Sequence, residues 1–211
     1  MKVAFVGRGV RGYPMAGHLQ LAGNQVTVYN RTASRSEGWV REYGGTRADT
    51  PAEAASGAEI VCVCVGNDDD VRSVIQGRDG VFSGLSPGAI IVDHTTASAG
   101  LARELAAAAS DAGLGFLDAP VSGGQAGAVN GALTIMVGGE RLVFERANPL
   151  LGHYARCVRL LGPSGSGQLA KMVNQICIAG IVQGLAEALE FSEQAGLDLS
   201  LIHISEPTRP F

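Results

Sequence analysis

The chain has 211 residues, of which 46% are hydrophobic and 17% are charged, and its formal net charge at pH 7 is −4. This length suffices for one sizeable hydrophobic core and the start of a second domain. A slightly acidic chain with few charges lacks the clustered Lys and Arg of a nucleic-acid surface, so we expect a small-molecule partner and no nucleic acid.

The first apolar run and the cysteines indicate the cellular compartment. The run from Val3 to Val6 is too short for a signal-peptide core or a membrane span. The cysteines lie in apolar stretches without CxxC spacing or a nearby histidine cluster, which predicts buried thiols and neither a metal site nor a disulfide framework. These cysteines are Cys62, Cys64, Cys157 and Cys177. We therefore expect a cytoplasmic protein that binds no metal and no membrane.

Short β-branched runs alternate with helical stretches in the first part of the chain. The predicted strands are 3–6, 25–29, 59–65 and 89–92, and the helices between them include 15–22, 34–43 and 101–112. This alternation is typical of a parallel sheet with crossover helices. Further predicted strands extend the sheet toward Gly162, at 114–118, 133–137 and 155–160. The sequence therefore predicts a doubly wound, Rossmann-type α/β sheet in a domain over 1–162.

A long helix is predicted after this sheet, from Gly165 to about Ala195, because no proline interrupts the helical spacing of its apolar residues. Its middle, Ile176 to Val182, is apolar nearly all round, which is typical of helices buried on several sides. Little of the remaining chain is available to bury it. We therefore predict one long helix that leaves the first domain.

The last residues, 201–211, have a different character. Pro207 and Pro210 stand three residues apart and end any helical continuation. We interpret this segment as a non-native tail and exclude it from the prediction of the fold. A genuine short tail is the alternative.

A glycine-rich loop, Gly7-Arg8-Gly9-Val10-Arg11-Gly12, joins the first predicted strand to the first helix. In this setting the GxGxxG pattern is typical of a dinucleotide-binding loop. Gly7 would permit the tight turn, Gly9 beside Val10 would let a pyrophosphate approach the backbone, and Gly12 would allow close helix–strand packing. A structural turn without a ligand is the alternative.

The end of the second strand indicates which dinucleotide binds. An acidic residue there would bind the ribose hydroxyls and repel a 2′-phosphate, but this chain reads Asn30-Arg31-Thr32, with Arg35 one helical turn later. Because Arg31 and Arg35 can form charge-assisted hydrogen bonds to a phosphate, we expect NADP as the preferred cofactor, with NAD possible. Two exposed arginines on a solvated helix are the alternative.

Two segments later in the chain predict an anion pocket. A strand ending in Asp118 is followed by Pro120 and then by Ser122-Gly123-Gly124, which offers a hydroxyl and unobstructed backbone N–H groups. The segment Met136 to Gly139 completes the pattern.

By contrast His94, a lone histidine beside an aspartate, is predicted to be structural rather than catalytic.

Lys171 is one of only two lysines, the other being Lys2. On the predicted long helix Gly167, Lys171 and Asn174 are spaced to lie on one face. A partly desolvated lysine can donate a proton near neutral pH, whereas arginine cannot. A surface lysine that extends into solvent is the alternative for Lys171 taken alone.

Taken together, these motifs resemble the β-hydroxyacid dehydrogenase family in order and spacing from Met1 to about Leu199. The branch they are most similar to comprises the 3-hydroxyisobutyrate dehydrogenases, the tartronate semialdehyde reductases and the reductases of glyoxylate and succinic semialdehyde. The resemblance implies hydride transfer between a nicotinamide and a short 3-hydroxy acid or its semialdehyde, with Lys171 as proton donor and acceptor. It implies further site residues: Ser122, Gly123 and Gly124 for the substrate carboxylate, Asn174 for substrate orientation, and Asn67 and Thr96 for the cofactor.

The chain departs from that family in two respects. Arg8 and Arg11 stand in the glycine loop where the family usually carries apolar residues. The family also continues into an all-helical domain that closes the cleft and forms the dimer. The resemblance therefore implies an interdomain helix and the start of an all-helical second domain over 163–200, with most of that domain missing. We expect a homo-oligomer for the full-length protein and poor turnover for this chain. A non-catalytic dinucleotide-binding module, or an inactive truncated fragment, is the alternative.

Two related enzyme classes fit less well. The 6-phosphogluconate dehydrogenases place a histidine before the asparagine, where this chain reads Lys171-Met172-Val173-Asn174. Imine reductases usually lack the lysine. The sequence therefore favours an NADP-preferring oxidoreductase acting on a small hydroxy acid.

Overall fold

The computed structural model describes residues 1–7 and 9–201, without the side chain of Leu201. It divides the chain into two compact units, Met1–Lys171 and Met172–Phe211. Arg8 of the glycine loop and residues 202–211 of the predicted non-native tail lie outside the described residues.

Within the described residues, the first unit contains a nine-stranded sheet. Its strands are β1 (Lys2–Val6), β2 (Gln25–Tyr29), β3 (Thr46–Arg47), β4 (Ile60–Val63), β5 (Ile90–Asp93), β6 (Gly115–Asp118), β7 (Val121–Ser122), β8 (Leu133–Gly139) and β9 (Ala155–Gly162). They lie in the order β3-β2-β1-β4-β5-β6-β8-β7, and β9 pairs with β8. The chain winds outward from β1 in both directions, which confirms the predicted doubly wound fold.

Helices connect these strands. They are α1 (Gly12–Leu21), α2 (Ala33–Tyr43), α3 (Pro51–Ala55), α4 (Asp68–Gln76), α5 (Val81–Gly84), α6 (Ala99–Asp111), α7 (Gly124–Val129), α8 (Arg141–Leu151) and α9 (Ser166–Gln194), followed by a 3-10 turn, Leu199–Leu201. The residues that precede α3, α4 and α6 cap these helices, since the side chains of Thr50, Asn67 and Ser98 each accept a hydrogen bond from a backbone N–H of the first turn. Caps of this kind each stabilise a helix by about 1 kcal/mol.

Hydrophobic cores lie on both faces of the sheet. Val3 and Phe5 of β1 pack in one core with Trp39 and Tyr154, while Ala4 and Val6 face the other, as the two-residue period of a strand requires. The helices α1, α2 and α8 contribute buried residues to the first core, and α3, α4, α5 and α6 contribute to the second. The sheet is therefore covered on both sides, as parallel sheets are.

The direction of the late strands differs from the prediction of a parallel sheet. From β3 to β6 every neighbouring pair is parallel, but β8 runs antiparallel to β6, and β7 runs antiparallel to β8. Only Ala119 and Pro120 separate β6 from β7. Because the chain turns back through β7 and the short α7, no crossover precedes β8, and β8 returns in the opposite direction.

The cysteines are all free, and the prediction that they are buried is partly wrong. Cys62 and Cys64 are buried in the core that also holds Phe5, Cys157 is half-buried, and Cys177 is exposed. Cys177 is exposed because it lies on the part of α9 whose apolar side chains face solvent. Burial raises the pKa of the Cys62 thiol to about 12, so this thiol is unreactive near neutral pH.

The second unit begins within α9. Its large apolar side chains are exposed, with exposed fractions of 72% for Ile176, 70% for Ile181 and 69% for Phe191. Among the described residues, α9 is the one helix whose length and composition would suffice to cross a membrane, with a mean hydropathy of 1.4 over its most apolar stretch. Core helices of soluble proteins share this length and composition, so the finding carries little weight by itself.

Candidate active site

The glycine loop between β1 and α1 has the geometry of a phosphate cradle. Gly7 has a φ of +82°, and a Cβ there would collide with the carbonyl oxygen of Cys64. At Gly12 a Cβ would lie 2.6 Å from the oxygen of Gly7, so α1 approaches β1 more closely than any side chain allows. By contrast, a Cβ at Gly9 would meet nothing within 4 Å. The loop is thus tightly packed on one side and open at Gly9, where a pyrophosphate can approach the backbone.

A cavity of about 590 Å³ opens beside this loop. Its volume lies in the usual range for small-molecule and cofactor sites. The predicted cofactor residues that line it are Gly7, Gly9, Val10, Asn30, Arg31, Thr32 and Arg35. The structure therefore brings the glycine loop and the end of β2 to one cavity, at the carboxyl ends of the strands where open α/β sheets bind ligands.

The polar groups at the end of β2 leave room for an anion. Asn30 donates from Nδ2 to the oxygen of Thr32 at 3.1 Å, which shapes the turn into α2. The side chain of Arg31 is 89% exposed, and its Nη1 lies 3.7 Å from Oδ1 of Asp70. Because exposed ion pairs are weak, Arg31 can exchange this contact for a phosphate.

The loops that follow β4 and β5 are joined to each other. Asp68 accepts hydrogen bonds from the backbone N of Ser98 at 2.9 Å and from its Oγ at 2.5 Å. The hydroxyl of Ser98 holds the pKa of the Asp68 carboxyl below its usual range. Asn67 precedes Asp68 and accepts at Oδ1 from the N of Asp70, whereas Thr96 is exposed two residues before Ser98. The two residues predicted to contact the cofactor thus lie in loops that are bonded together.

His94 is a buried structural histidine, as predicted. Its Nδ1 donates to the carbonyl oxygen of Ala119 at 2.7 Å, and its Nε2 lies 2.9 Å from the hydroxyl of Tyr154. Burial lowers the pKa of His94 to about 4. The imidazole is therefore neutral, with its proton on Nδ1, and Tyr154 donates to Nε2. This arrangement fixes the chain at Ala119, three residues before Ser122.

Ser122, Gly123 and Gly124 form one accessible turn between β7 and α7. Ser122 is half-buried at the end of β7, and the two glycines are exposed. Gly123 has a φ of +125° and Gly124 a φ of +63°, values that favour glycine. A Cβ at Gly124 would meet nothing within 4 Å. The hydroxyl and the backbone of the turn are therefore accessible to a small anion.

Asp118, which ends β6, and Gly138 of β8 pack against the start of α9. Asp118 is fully buried, and its carboxylate accepts from the backbone N of Gly165 at 2.7 Å and of Gln168 at 3.0 Å. It therefore caps the start of α9. A Cβ at Gly138 would lie 2.5 Å from the Asp118 carboxylate, and one at Gly167 would lie 2.6 Å from its backbone oxygen. These two glycines allow α9 to approach β6 and β8.

Lys171 is buried, with 7% of its surface exposed, one turn along α9 from Gly167. Burial lowers the pKa of its ammonium group, and the positive charge of Arg11 in the glycine loop lowers it further. Both effects increase the fraction of neutral amine near pH 7. Asn174 lies three residues further along α9, in the second compact unit.

Sequence reasoning did not single out Gln168 as a site residue. It is 1% exposed, and its side chain forms hydrogen bonds with the backbone of Thr95 and Ala97, the two neighbours of Thr96 in the segment after β5. The partners lie 71 and 73 residues away along the chain. A polar amide inside the closely spaced Gly167-to-Lys171 motif is the one signal that the sequence offers for this role.

A doubly wound sheet with this loop, this cavity and a buried lysine at the carboxyl edge defines a nicotinamide-dinucleotide-binding oxidoreductase domain. The family described as the NAD binding domain of 6-phosphogluconate dehydrogenase matches residues 2–162. The chain belongs to the β-hydroxyacid dehydrogenase family, which carries this domain.

Three similar proteins illustrate the relationship. The chain is 61% identical to an uncharacterized oxidoreductase of Shewanella frigidimarina over 93% of the chain and 68% of that protein. It is 43% identical to the probable mitochondrial 3-hydroxyisobutyrate dehydrogenase-like 2 of Arabidopsis thaliana over 93% of the chain and 65% of that protein. The solved structure of 3-hydroxyisobutyrate dehydrogenase from Mycobacterium tuberculosis, with L-serine, has a TM-score of 0.86 at 33% identity, covering 93% of this chain and 66% of that one. The chain thus spans about two thirds of the length of these relatives.

Proposed function

We propose that this chain carries the cofactor site and the proton-transfer residue of an NADP-preferring dehydrogenase that interconverts a short 3-hydroxy acid and its semialdehyde or oxo acid. The observation that carries this proposal is Lys171. It is buried in the unit that holds the glycine loop, and the charge of Arg11 in that loop helps to lower the pKa of its ammonium. The name of the Arabidopsis relative supports the substrate class.

The residues of the first unit fit a nicotinamide dinucleotide. The open backbone at Gly9 and the start of α1 suit the pyrophosphate, and Asn67 and Thr96 would contact the cofactor. When bound, the nicotinamide accepts or supplies the hydride. A dinucleotide site of this kind, in a chain without an extracellular cysteine framework, also supports a cytoplasmic location for the protein.

Lys171 performs the proton transfer in this proposal. In the oxidation direction the neutral amine accepts the proton of the carbinol hydroxyl, while the hydride leaves the same carbon. In the reduction direction the ammonium returns a proton to the carbonyl oxygen. The lowered pKa of Lys171 increases the fraction of neutral amine, and general acid–base help of this kind contributes about 10²–10⁴-fold to a rate.

The turn after β7 would hold the substrate. The carboxylate of the substrate would accept hydrogen bonds from the Ser122 hydroxyl and from the backbone N–H groups of Gly123 and Gly124, two glycines that are exposed to solvent. Asn174 would orient the substrate in the complete protein, which we propose to be a homo-oligomer. His94 supports this turn through Ala119.

The preference for NADP rests on Arg31 and Arg35. Arg31 is exposed just after β2 and Arg35 is exposed in the first turn of α2, and both line one cavity. No carboxylate occupies the position of Asn30. Asp70 lies beside Arg31 and weakens the positive potential there. We therefore expect a preference for NADP rather than an exclusion of NAD.

A titration of the chain with NADPH and, separately, NADH tests this function. Energy transfer from the single tryptophan, Trp39 on α2, to the reduced nicotinamide reports binding. We expect Arg31→Ala and Arg35→Ala each to raise the Kd for NADPH about tenfold, the loss of one charge-assisted contact, and to leave the Kd for NADH unchanged. The matched control is Arg41→Ala, an exposed arginine in the last turn of the same helix.

Each outcome of this titration has a distinct meaning. No saturable binding to folded protein would refute the dinucleotide site. Equal affinity for NADPH and NADH, with both arginine variants indistinguishable from the Arg41 control, would refute the NADP preference alone. Binding without turnover of any short semialdehyde, even in a fusion that adds the C-terminal third of the Shewanella relative, would favour a non-catalytic dinucleotide-binding module.

A further inference from the structure

The segment that follows β5, residues 93–98, is held by hydrogen bonds at almost every position. Asp93 accepts at Oδ1 from the N of Thr95 at 2.9 Å, and Thr95 accepts at Oγ1 from the N of Val65 at 3.1 Å. Ser98 is bonded to Asp68 through its N and its Oγ. In the middle of this fixed segment Thr96 alone has an exposed side chain. The segment therefore presents one side chain from a rigid support.

Gln168 provides the support on both sides of Thr96. Its Nε2 donates to the carbonyl oxygen of Thr95 at 2.7 Å, and its Oε1 accepts from the N of Ala97 at 3.0 Å. These two backbone groups flank Thr96 directly. Because a primary amide carries one donor and one acceptor end, it matches both groups at once, and no apolar side chain of the same size does so.

The same side chain belongs to the helix that carries Lys171. Gln168 lies three residues before Lys171, so the two project from one face of α9, and both are buried. The backbone N of Gln168 is bonded to Asp118, which fixes the helix at this turn. Gln168 thus links the turn of α9 that carries Lys171 directly to the backbone on both sides of Thr96.

We propose that Gln168 is a positioning residue that holds Thr96 against the bound dinucleotide at a fixed distance from Lys171. This inference rests on the proposed function, because it takes Thr96 as a cofactor contact and Lys171 as the proton-transfer residue. Gln168 itself touches neither reacting atom. It acts by ordering the backbone of Thr95 and Ala97 before the cofactor arrives, so that binding does not have to order it.

The test is a double-substitution cycle on cofactor binding by the 211-residue chain. The variants are Gln168→Met, which keeps the length of the side chain and removes both hydrogen bonds, Thr96→Ala, and the two combined. We expect each single change to raise the Kd for NADPH about three- to tenfold, as expected for one or two lost hydrogen bonds. The combined variant should bind about as well as Thr96→Ala alone, because Gln168 acts through Thr96.

The matched control removes a buried amide away from the site. Asn24 is 8% exposed and donates from Nδ2 to the oxygen of Leu19 in the turn after α1. Asn24→Leu should lower the thermal stability of the chain about as much as Gln168→Met, yet leave the Kd for NADPH within about twofold of the parent. Measurements are made well below the unfolding transition of every variant.

Two results would overturn the inference. One is an additive cycle, in which Gln168→Met weakens binding equally with and without Thr96. The other is a Kd for Gln168→Met that does not differ from the Asn24→Leu control, which would make Gln168 merely structural. Failure of the unsubstituted chain to bind NADPH refutes the proposed function itself and is seen before any variant is compared.

Discussion

The two compact units treat similar apolar residues in opposite ways. In Met1–Lys171 the apolar strands are covered on both faces by helices, and Trp39, Phe5 and Tyr154 are fully buried. In the second unit none of the most apolar stretch of α9 is buried. Hydrophobicity alone therefore does not define a core, because a core also requires elements that cover it. The first unit contains helices that bury its apolar strands, whereas the described part of the second unit contains no element that buries the apolar side chains of α9.

The largest effect is expected at the boundary between the units. Lys171→Ala should lower turnover at least about 100-fold, because the proton-transfer group is removed, while the Kd for NADPH stays unchanged. Turnover is measured by NADPH oxidation with short semialdehydes, on the chain and on a fusion that adds the C-terminal third of the Shewanella relative. Lys2→Ala is the control, since Lys2 is the other lysine and lies at the start of β1. Turnover that survives without Lys171 would show that another group transfers the proton.

A smaller effect is expected on the exposed face of α9. We expect the chain to self-associate through this face, because burying a large contiguous apolar surface against another copy removes it from water. Ile176→Glu combined with Ile181→Glu should weaken association about tenfold or more, measured by sedimentation over a range of concentrations. Leu142→Glu is the matched control, since Leu142 is 74% exposed on α8 of the first unit. A chain that is monomeric throughout, or a control that weakens association equally, would contradict the comparison between the units.

The smallest effect concerns the pH dependence of stability in the first unit. Burial raises the pKa of Asp93 to about 7, and the nearby carboxylates of Asp118 and Asp68 add to the shift, while hydrogen bonds from Thr95 oppose it. Since the folded pKa lies above the unfolded one, folding favours the protonated acid. Its contribution is present below pH 4 and is lost as the pH rises toward 7.

Asp93→Asn should remove this contribution to the pH dependence. The free energy of unfolding of the parent should fall relative to that of the variant by about 1 kcal/mol or more between pH 4 and pH 7, measured by urea denaturation. His94 is present in both proteins, so its opposite titration cancels in the difference. Parallel curves for parent and variant would show that Asp93 is ionised in the folded protein across this range.

Much of the fold could be predicted from local sequence, since periodicity and glycine placement act over short distances. The long helix was predicted over 165–195 and runs over Ser166–Gln194. The strand predicted over 59–65 contains β4, Ile60–Val63. By contrast the reversal of β8 depends on which strand it meets, and the partners of Gln168 lie more than 70 residues away. No local pattern encodes such pairings.

The candidate site divides in the same way. The roles of Gly7 and Gly12 follow from a motif of six residues, and their crowded surroundings agree with it. The sequence shows only that Asp118 ends a strand before Pro120, whereas in space its carboxylate accepts hydrogen bonds from Gly165 and Gln168. A carboxylate at the end of a strand can either contact a ligand or cap a helix, and only the folded structure shows which of these it does.

The hydrogen bond from Gly165 to the Asp118 carboxylate also brings together the two ends of the chain segment between these residues. Residues 118 and 165 are 47 positions apart and joined by a hydrogen bond. The whole segment from β7 to β9 therefore begins and ends next to the Asp118 carboxylate. Additions at exposed turns between these two residues should lengthen the segment without displacing Lys171, because surface turns tolerate insertion. The protein can therefore accept a reporter or an extra module there while its cofactor end stays in place.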